Sequence, residues 1–278
     1  MRLAFLGTPA MAVPSLQALV AAGHDVAVVI TGADKRRGRG SEFSASPVKA
    51  VAQQLGLAVS HSVDDVLGRD IQLGVVVAFG QLVRPHVLDA VPMVNSHYSL
   101  LPRWRGAAPV ERALLAGDSE TGVCLMQLAA DLDTGPVYDT VRVPIGPTTT
   151  APQLREALVT AGVAQLVRCL SAPLPTPTEQ QGEPTYAAKI HASDLRIDWS
   201  QSAEQVDRLI RVGRAWTVFR GKRLKVITAV LVTGGDIGSL EHPVAGLRLV
   251  TVQPEGKAAM SIDDFTRGVR MQPDEFFE

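Results

Sequence analysis

The stretch MVNSHYSLLPRWRGAAP, residues 93–109, follows an apolar segment and passes from alternating residues into a proline-containing, arginine-bearing loop. Successive side chains of a strand point to opposite faces, so we expect Asn95, His97 and Ser99 on one face. Open α/β sheets bind their ligands at the carboxyl ends of the strands. The stretch therefore predicts a strand whose end forms the functional site together with the loop that follows.

These side chains suit acyl or formyl transfer to an amine. Such a reaction forms a tetrahedral oxyanion, and catalysis needs donors aimed at that oxygen and a group that manages the amine proton. Asn95 and His97 offer N–H donors, and Asp133 in the acidic turn AADLDTGP can orient His97 or accept the proton through water. Ser99 lacks the surroundings of a nucleophile elbow, so we expect no covalent intermediate.

The same residues also admit plainer explanations. An Asn-x-His pair occurs often as satisfied polar groups at a strand end, and aspartates such as Asp131 and Asp133 favour turns. Asp-Thr-Gly at residues 133–135 also suggests an aspartic protease, which the helical α/β pattern opposes. On the residues alone, the chain is an α/β enzyme with a site at residues 95–105 and an open choice of reaction.

Short apolar runs alternate with helix-like segments through the first part of the chain, which predicts a doubly wound sheet. Leu3–Leu6 precedes a helix pattern and a second apolar run at Val26–Ile30, and Leu73–Phe79 is typical of a central parallel strand. The first turn contains Gly7-Thr8-Pro9 instead of G-x-G-x-x-G, which disfavours a nicotinamide cofactor.

The composition changes after this α/β part. Ser171–Pro184 is rich in proline and has no periodicity, which is typical of a linker. Short apolar runs separated by glycine and proline follow, and they predict a small β-barrel. We therefore predict a catalytic domain at residues 1–170, a linker at 171–187 and a barrel domain at 188–278.

The bulk numbers exclude several classes of protein. A hydrophobic content of 46% and a charged content of 20% are ordinary for a soluble globular chain. The 2 cysteines give no disulfide framework and no metal-ligand spacing. No apolar run approaches the roughly 20 residues of a membrane span. We expect a cytoplasmic protein with no metal and no membrane contact.

A net charge of −1 offers no global attraction for nucleic acid, so any such binding needs a local patch. The long polar loop at residues 31–47 is explained either as a solvated loop or as a contact to a phosphate backbone. Its cations are Lys35, Arg36, Arg37 and Arg39. A later run without any intervening acid comprises Arg208, Arg211, Arg214, Arg220, Lys222, Arg223 and Lys225.

Several motifs resemble the formyltransferases that use 10-formyltetrahydrofolate. NSHYSLLPRWRGAAP is followed by ERALLAGDSETGV and LDTGP, and that family shares Asn-x-His-x-Ser-Leu-Leu-Pro with a later Asp. GRG and SPVK in the early loop, RIDW after the linker and QPEGKAAM near the C-terminus resemble the branch that acts on methionyl initiator tRNA. The resemblance extends from Met1 to about Gly268.

The resemblance implies a Rossmann-like domain joined to an OB-like barrel, acting as a monomer. It implies that Asn95, His97 and Asp133 are catalytic, with direct attack of the methionyl amine, an oxyanion stabilised by Asn95 and His97, and assistance from Asp133. The implied folate contacts are Ser99, Leu100, Leu101, Pro102, Phe79 and Gly80. Arg39 falls where the early loop meets the tRNA acceptor end, and we group Lys35, Arg36 and Arg37 with it.

Departures from the family pattern leave other hypotheses open. The chain is shorter between Val230 and Gln253 than the family leads us to expect, and Ala33 replaces the usual proline. A shorter barrel favours an amino sugar, a siderophore or a peptide amine as acceptor, whereas the basic segments favour tRNA. A non-catalytic folate- or RNA-binding protein and a hydrolase of the formyl donor are the remaining alternatives.

Overall fold

The computed structural model describes residues 1–36, 43–232, 246–272 and 275–278, and it divides into two compact units. The first unit comprises Met1–Pro109, Glu120–Pro144 and Arg155–Ala188. The second unit comprises Val110–Ser119, Ile145–Leu154 and Lys189–Glu278. Within the described ranges, no helix has the length and apolar character needed to cross a membrane.

The described residues form fifteen strands and seven α-helices. The strands are β1 (Arg2–Gly7), β2 (Asp25–Ile30), β3 (Lys35–Arg36), β4 (Phe43–Ser44), β5 (Val59–Ser60), β6 (Leu73–Val77), β7 (Met93–His97), β8 (Arg105–Gly106), β9 (Glu120–Gln127), β10 (Val137–Pro144), β11 (Tyr186–Ala187), β12 (Trp216–Phe219), β13 (Lys222–Leu231), β14 (Leu247–Pro254) and β15 (Met260–Ser261). The α-helices are α1 (Val13–Ala21), α2 (Pro47–Gln54), α3 (Pro85–Ala90), α4 (Pro109–Ala116), α5 (Ala151–Leu170), α6 (Ala203–Val212) and α7 (Ile262–Val269).

A seven-stranded sheet runs through the first unit in the order β10-β9-β7-β6-β1-β2-β5. The strands from β7 to β5 in that order run parallel, and β9 and β10 add an antiparallel edge. β6 is buried at every position, and β1 is buried at all positions except its first. Strands buried on both faces are apolar throughout, which explains their unbroken hydrophobic runs. The predicted mostly parallel sheet is confirmed.

The second unit contains a four-stranded antiparallel sheet in the order β12-β13-β14-β15. Its core is aromatic and aliphatic, with Phe219, Leu224, Val252, Phe265 and Phe277 buried together. The start of α6 is fixed by a capping box between Ser202 and Gln205. The predicted C-terminal β domain is therefore present. The stretch that is shorter than expected falls largely on residues 233–245, outside the described residues.

The segment predicted as a linker lies along the first unit. The backbones of Thr178 and Val137 exchange two hydrogen bonds of 2.8 Å. β11 pairs in parallel with β8, so that Ala187 lies opposite Gly106. These pairings attach the segment at two points, to β10 after the turn of Asp133 and to β8 in the loop after β7.

Gly122 in β9 allows the loop after β7 to approach the sheet. A Cβ at this position would lie 2.2 Å from the carbonyl oxygen of Val141 and 2.5 Å from Cδ2 of Leu100. The first contact is with backbone, which a side-chain rotation cannot relieve. Only glycine fits between β10 and Leu100 without displacing one of them.

We expect Gly122→Ala to lower the free energy of unfolding by about 1–3 kcal/mol, because the added methyl overpacks the sheet. The matched control is Gly268→Ala in α7, where a Cβ meets nothing within 4 Å. Alanine is the better helix former, so this control should keep or raise the stability. Urea denaturation of the two variants measures the difference, and equal stability of Gly122→Ala and the wild type would contradict the packing described.

Candidate active site

Asn95 and His97 on β7 lie on one face, as the strand alternation predicts. Asn95 Nδ2 lies 3.4 Å from Asp133 Oδ1, and His97 Nδ1 lies 3.5 Å from Asp133 Oδ2. Asp133 comes from the turn that joins β9 to β10, 38 residues after Asn95. The structure thus brings together the three residues that the sequence singled out as an acyl-transfer site.

A backbone carbonyl fixes the ring of His97. Nε2 lies 2.9 Å from the carbonyl oxygen of Trp104. A carbonyl only accepts hydrogen bonds, so Nε2 carries a proton and donates it. Nδ1 then faces the Asp133 carboxylate, within ion-pair distance of Oδ2. His97 is only 5% exposed, so little water competes for this contact.

The backbone also holds the carboxylate of Asp133. The Gly106 N–H donates to Asp133 Oδ2 over 2.8 Å, and Asp133 is 9% exposed. Asp133 has a φ of 51° and Trp104 a φ of 63°, both in the left-handed region. Aspartate tolerates this conformation better than most residues, which suits it to the turn. Residues 104–106 therefore contact both His97 and Asp133.

Gln180, from the segment predicted as a linker, binds the turn of Asp133 from the other side. Its Nε2 donates to the carbonyl oxygens of Asp133 and Gly135, at 2.8 and 2.9 Å. Its Oε1 accepts from Nε and Nη2 of Arg105, at 3.1 and 2.7 Å. Sequence reasoning missed Gln180 because nothing in its local pattern distinguishes it from other polar residues of a loop.

The segment expected to contact folate follows β7 directly. β7 ends at His97, so Ser99 lies beyond the strand, fully buried, and its Oγ donates to the carbonyl oxygen of Arg103 over 2.5 Å. Leu100, Leu101 and Pro102 are half-buried. The segment is therefore folded back on itself, with aliphatic side chains at its surface.

Phe79 and Gly80 follow β6, the parallel neighbour of β7. Phe79 is buried, whereas Gly80 is exposed and has a φ of 73°. Thr8 Oγ1 donates to the carbonyl oxygen of Phe79 at 3.3 Å and accepts from the Gly32 N–H at 3.1 Å. This threonine ties together the loops that follow β1, β2 and β6.

The early basic loop is described only at its two ends. Arg37 and Arg39 lie outside the described residues, and the backbones of Lys35 and Arg36 form β3, which pairs with β4. The base of the loop is closed by a 2.7 Å hydrogen bond between the hydroxyls of Thr31 and Ser46. Lys49 adds an ion pair with Asp34 at 2.7 Å.

Two acids partly neutralise the basic run at residues 208–225. One lies just before the run and the other lies far along the chain. Arg211 pairs with Asp207 at 2.7 Å, and Arg220 binds Glu275 through two hydrogen bonds of 2.5 and 2.6 Å. The Arg220 guanidinium lowers the pKa of the Glu275 carboxyl by hydrogen bonding. Three further cations of the run are exposed and form no ion pair among the described residues: Arg214, Lys222 and Lys225.

The part of the chain that the structure describes contains no cluster of His, Cys, Asp and Glu able to hold a metal ion. The side chains that meet at the site are one amide, one imidazole and one carboxylate, beside a mostly parallel sheet. Such donors suit the stabilisation of an oxyanion and the movement of a proton. Fold and site together define an α/β enzyme of group transfer.

Comparison with known proteins places this enzyme in a family. Residues 1–170 match the model of the formyl transferase domain, and residues 189–270 match the formyl transferase C-terminal domain. The methionyl-tRNA formyltransferase of Roseobacter denitrificans is 41% identical, over 100% of this chain and 99% of that protein. That of Thermobifida fusca is 42% identical, over 100% and 99%. The chain belongs to the formyl transferase family.

Solved structures share the fold at low sequence identity. The methionyl-tRNA formyltransferase of Clostridium thermocellum aligns with a TM-score of 0.66 at 15% identity, covering 91% of this chain and 98% of that one. The N-formyltransferase of Helicobacter canadensis, solved with folinic acid and dTDP-3-aminofucose, aligns with a TM-score of 0.67 at 19% identity, covering 85% and 89%. The predicted fold class is confirmed by these likenesses.

Proposed function

We propose that this chain transfers the formyl group of 10-formyltetrahydrofolate to the α-amino group of methionyl initiator tRNA, giving N-formylmethionyl-tRNA for the initiation of translation. The main support is that Asn95 and His97 both lie against the carboxylate of Asp133. It occurs in a chain that aligns over its whole length with methionyl-tRNA formyltransferases. The proposal includes a monomer that acts in the cytoplasm.

The residues around the site fit a folate. Leu100, Leu101 and Pro102 offer half-buried aliphatic surface, and Phe79 and Gly80 offer backbone groups at the end of the neighbouring strand. A flat heteroaromatic ring has apolar faces and polar edges, which match aliphatic side chains and backbone N–H and C=O groups. We assign the folate to Ser99, Leu100, Leu101, Pro102, Phe79 and Gly80.

The reaction is a direct attack of the neutral amine on the formyl carbon. An α-amino group has a reference pKa near 7.7–8.0, so a neutral fraction is present at physiological pH. A new C–N bond forms, the bond between the formyl carbon and N10 of the folate breaks, and one amine proton ends on N10. Asp133 is the group placed to take that proton from the amine and return it to the leaving nitrogen.

The formyl oxygen becomes negatively charged during the attack. An amide nitrogen carries two protons, so Asn95 can donate one to Asp133 and the other to this oxygen. His97 adds positive charge once Nδ1 is protonated beside Asp133, while Trp104 keeps the ring in place through Nε2. Donors fixed before the reaction stabilise the oxyanion more than water does, because they need no reorientation.

The tRNA requires cations outside the chemical centre, since the net charge of the chain is −1. We assign acceptor-end contacts to Arg39 and its loop neighbours Lys35, Arg36 and Arg37. At the base of this loop, Asp34 pairs with Lys49. In the second unit, Arg214, Lys222 and Lys225 remain as exposed cations for the phosphate backbone.

The alternative acceptor is an amino sugar or a siderophore or peptide amine. Asn95, His97 and Asp133 can act on any primary amine, so the chemistry alone does not separate the acceptors. The full-length alignment with methionyl-tRNA formyltransferases at 41% and 42% identity favours tRNA.

We expect Asp133→Asn to reduce turnover at least about 100-fold, because the amine proton loses its acceptor. Binding of the folate should remain detectable, since the change keeps the shape of the side chain. The matched control is Asp131→Ala, an exposed carboxylate in the same turn. Steady-state formylation and folate titration measure the two effects, and undiminished turnover of Asp133→Asn would remove Asp133 from the mechanism.

We expect Arg39→Ala to raise the KM for tRNA. The slope of log KM against the logarithm of the salt concentration should fall by about 1, as it does when one phosphate contact is lost. Folate binding should be unchanged. Arg142→Ala is the control, because it removes an exposed arginine that pairs with Glu120. An equal effect of Arg39→Ala on tRNA and folate, or none on either, would argue against a tRNA role for the loop.

The test of the function itself is a formylation assay with 10-formyltetrahydrofolate and methionyl initiator tRNA, run beside methionyl elongator tRNA. The proposal predicts formylation of the initiator and little or none of the elongator. A protein that binds folate yet formylates neither tRNA would contradict the proposal. Amino sugars and small peptide amines are then the acceptors to assay.

A further inference from the structure

We infer that Gln180 is a positioning residue for the formyl-transfer site, holding the turn of Asp133 and the segment of Arg105 against each other. The inference rests on the proposed function, since it assigns Gln180 a role in that reaction. Among the residues that the structure describes, no hydrogen bond joins Gln180 to Asn95 or His97. Its partners are the backbone of Asp133 and Gly135 and the side chain of Arg105.

Gln180 uses both ends of its amide. Nε2 donates its two protons to the carbonyl oxygens of Asp133 and Gly135, and Oε1 accepts two hydrogen bonds from Arg105. Only an amide side chain combines two donors and a good acceptor in this arrangement. A glutamate would keep the acceptor for Arg105 and place a negative charge against two carbonyl oxygens.

Both partners of Gln180 lead directly to the proposed catalytic residues. Arg105 lies between Trp104, whose carbonyl oxygen accepts from His97, and Gly106, whose N–H donates to Asp133. On the other side, Gln180 binds the backbone of Asp133 itself. One side chain thus fixes the distance between the two segments that orient the imidazole and the carboxylate.

The turn of Asp133 has little freedom to compensate for a lost partner. A Cβ at Gly135 would lie 2.0 Å from the carbonyl oxygen of Gln127, so the turn runs in close contact with the end of β9. Asp133 itself holds a left-handed φ of 51°. Residues with a side chain adopt this conformation uncommonly, although aspartate does so more readily than most. The two hydrogen bonds from Gln180 hold the backbone of the turn in it.

Gln180 is itself held in place on both sides along the chain. Thr178 exchanges two backbone hydrogen bonds of 2.8 Å with Val137. Thr185 accepts from the N–H of Trp104 at its hydroxyl and from the N–H of Arg105 at its carbonyl, each over 2.9 Å. The amide of Gln180 is therefore presented by an anchored segment, which a positioning role requires.

Loss of these hydrogen bonds should act on the chemical step. A displacement of about 1 Å in a catalytic group can cost about 100-fold in rate. We expect Gln180→Met, which keeps the length and bulk of the side chain, to lower kcat about 10- to 100-fold and to leave the KM for folate within about twofold. Gln181→Met, an exposed neighbour, is the control and should retain wild-type kcat.

The decisive measurement is a double-mutant cycle that combines Gln180→Met with Asp133→Asn. The rate of single-turnover formylation is measured for each variant. If Gln180 acts through Asp133, Gln180→Met should cause little further loss in the Asp133→Asn background, because coupled residues are not additive. A general effect on stability would instead multiply the two losses. Gln180→Glu provides a second variant with the Arg105 acceptor intact, and we expect a comparable loss of kcat.

Three results separate the possible failures. A wild-type enzyme that does not formylate methionyl initiator tRNA would overturn the proposed function and, with it, this role. An active wild type with Gln180→Met and Gln180→Glu as fast as Gln181→Met would overturn the role of Gln180 alone. Fully multiplicative losses in the cycle would also overturn it, because Gln180 would then act independently of Asp133.

Discussion

The carboxylate of Asp133 is the point at which the separate parts of the site meet. It accepts from the N–H of Gly106, lies beside Asn95 and faces Nδ1 of His97. Strand β7 presents an amide and an imidazole on one face, and the buried carboxylate lies between them while the carbonyl oxygen of Trp104 holds the ring of His97. The loop at residues 104–106 and the turn after β9 are shaped to hold that acceptor.

Such a site depends on how the chain returns over the sheet. β9 runs antiparallel to β7, and Gly122 lets Leu100 pack against it. The turn that follows β9 then lies close enough for the side chain of Asp133 to contact Asn95. Gln180 binds the backbone carbonyl of Asp133. The proline-rich segment, which has no helical or strand periodicity, is in this way part of the support of the site.

Much of this was predictable from residue type and spacing. Alternation along β7 predicted that Asn95 and His97 share a face, and the apolar runs predicted the sheet. The carbonyl of Trp104 and the N–H of Gly106 escaped prediction because every residue carries such groups, so the sequence does not mark them. Gln180 escaped because its partners are distant in sequence, as Glu275 is from Arg220. Long-range contacts of this kind leave no local pattern.

Trp104 and Asp133 fix the imidazole of His97 in one orientation, and the position of the proton on the ring reports this orientation directly. The measurement is 15N NMR of histidine-labelled protein, with the His97 signals assigned from a His97→Gln variant. We predict a proton on Nε2 in the free enzyme, because the carbonyl of Trp104 can only accept. A neutral ring protonated at Nδ1 alone would contradict the account.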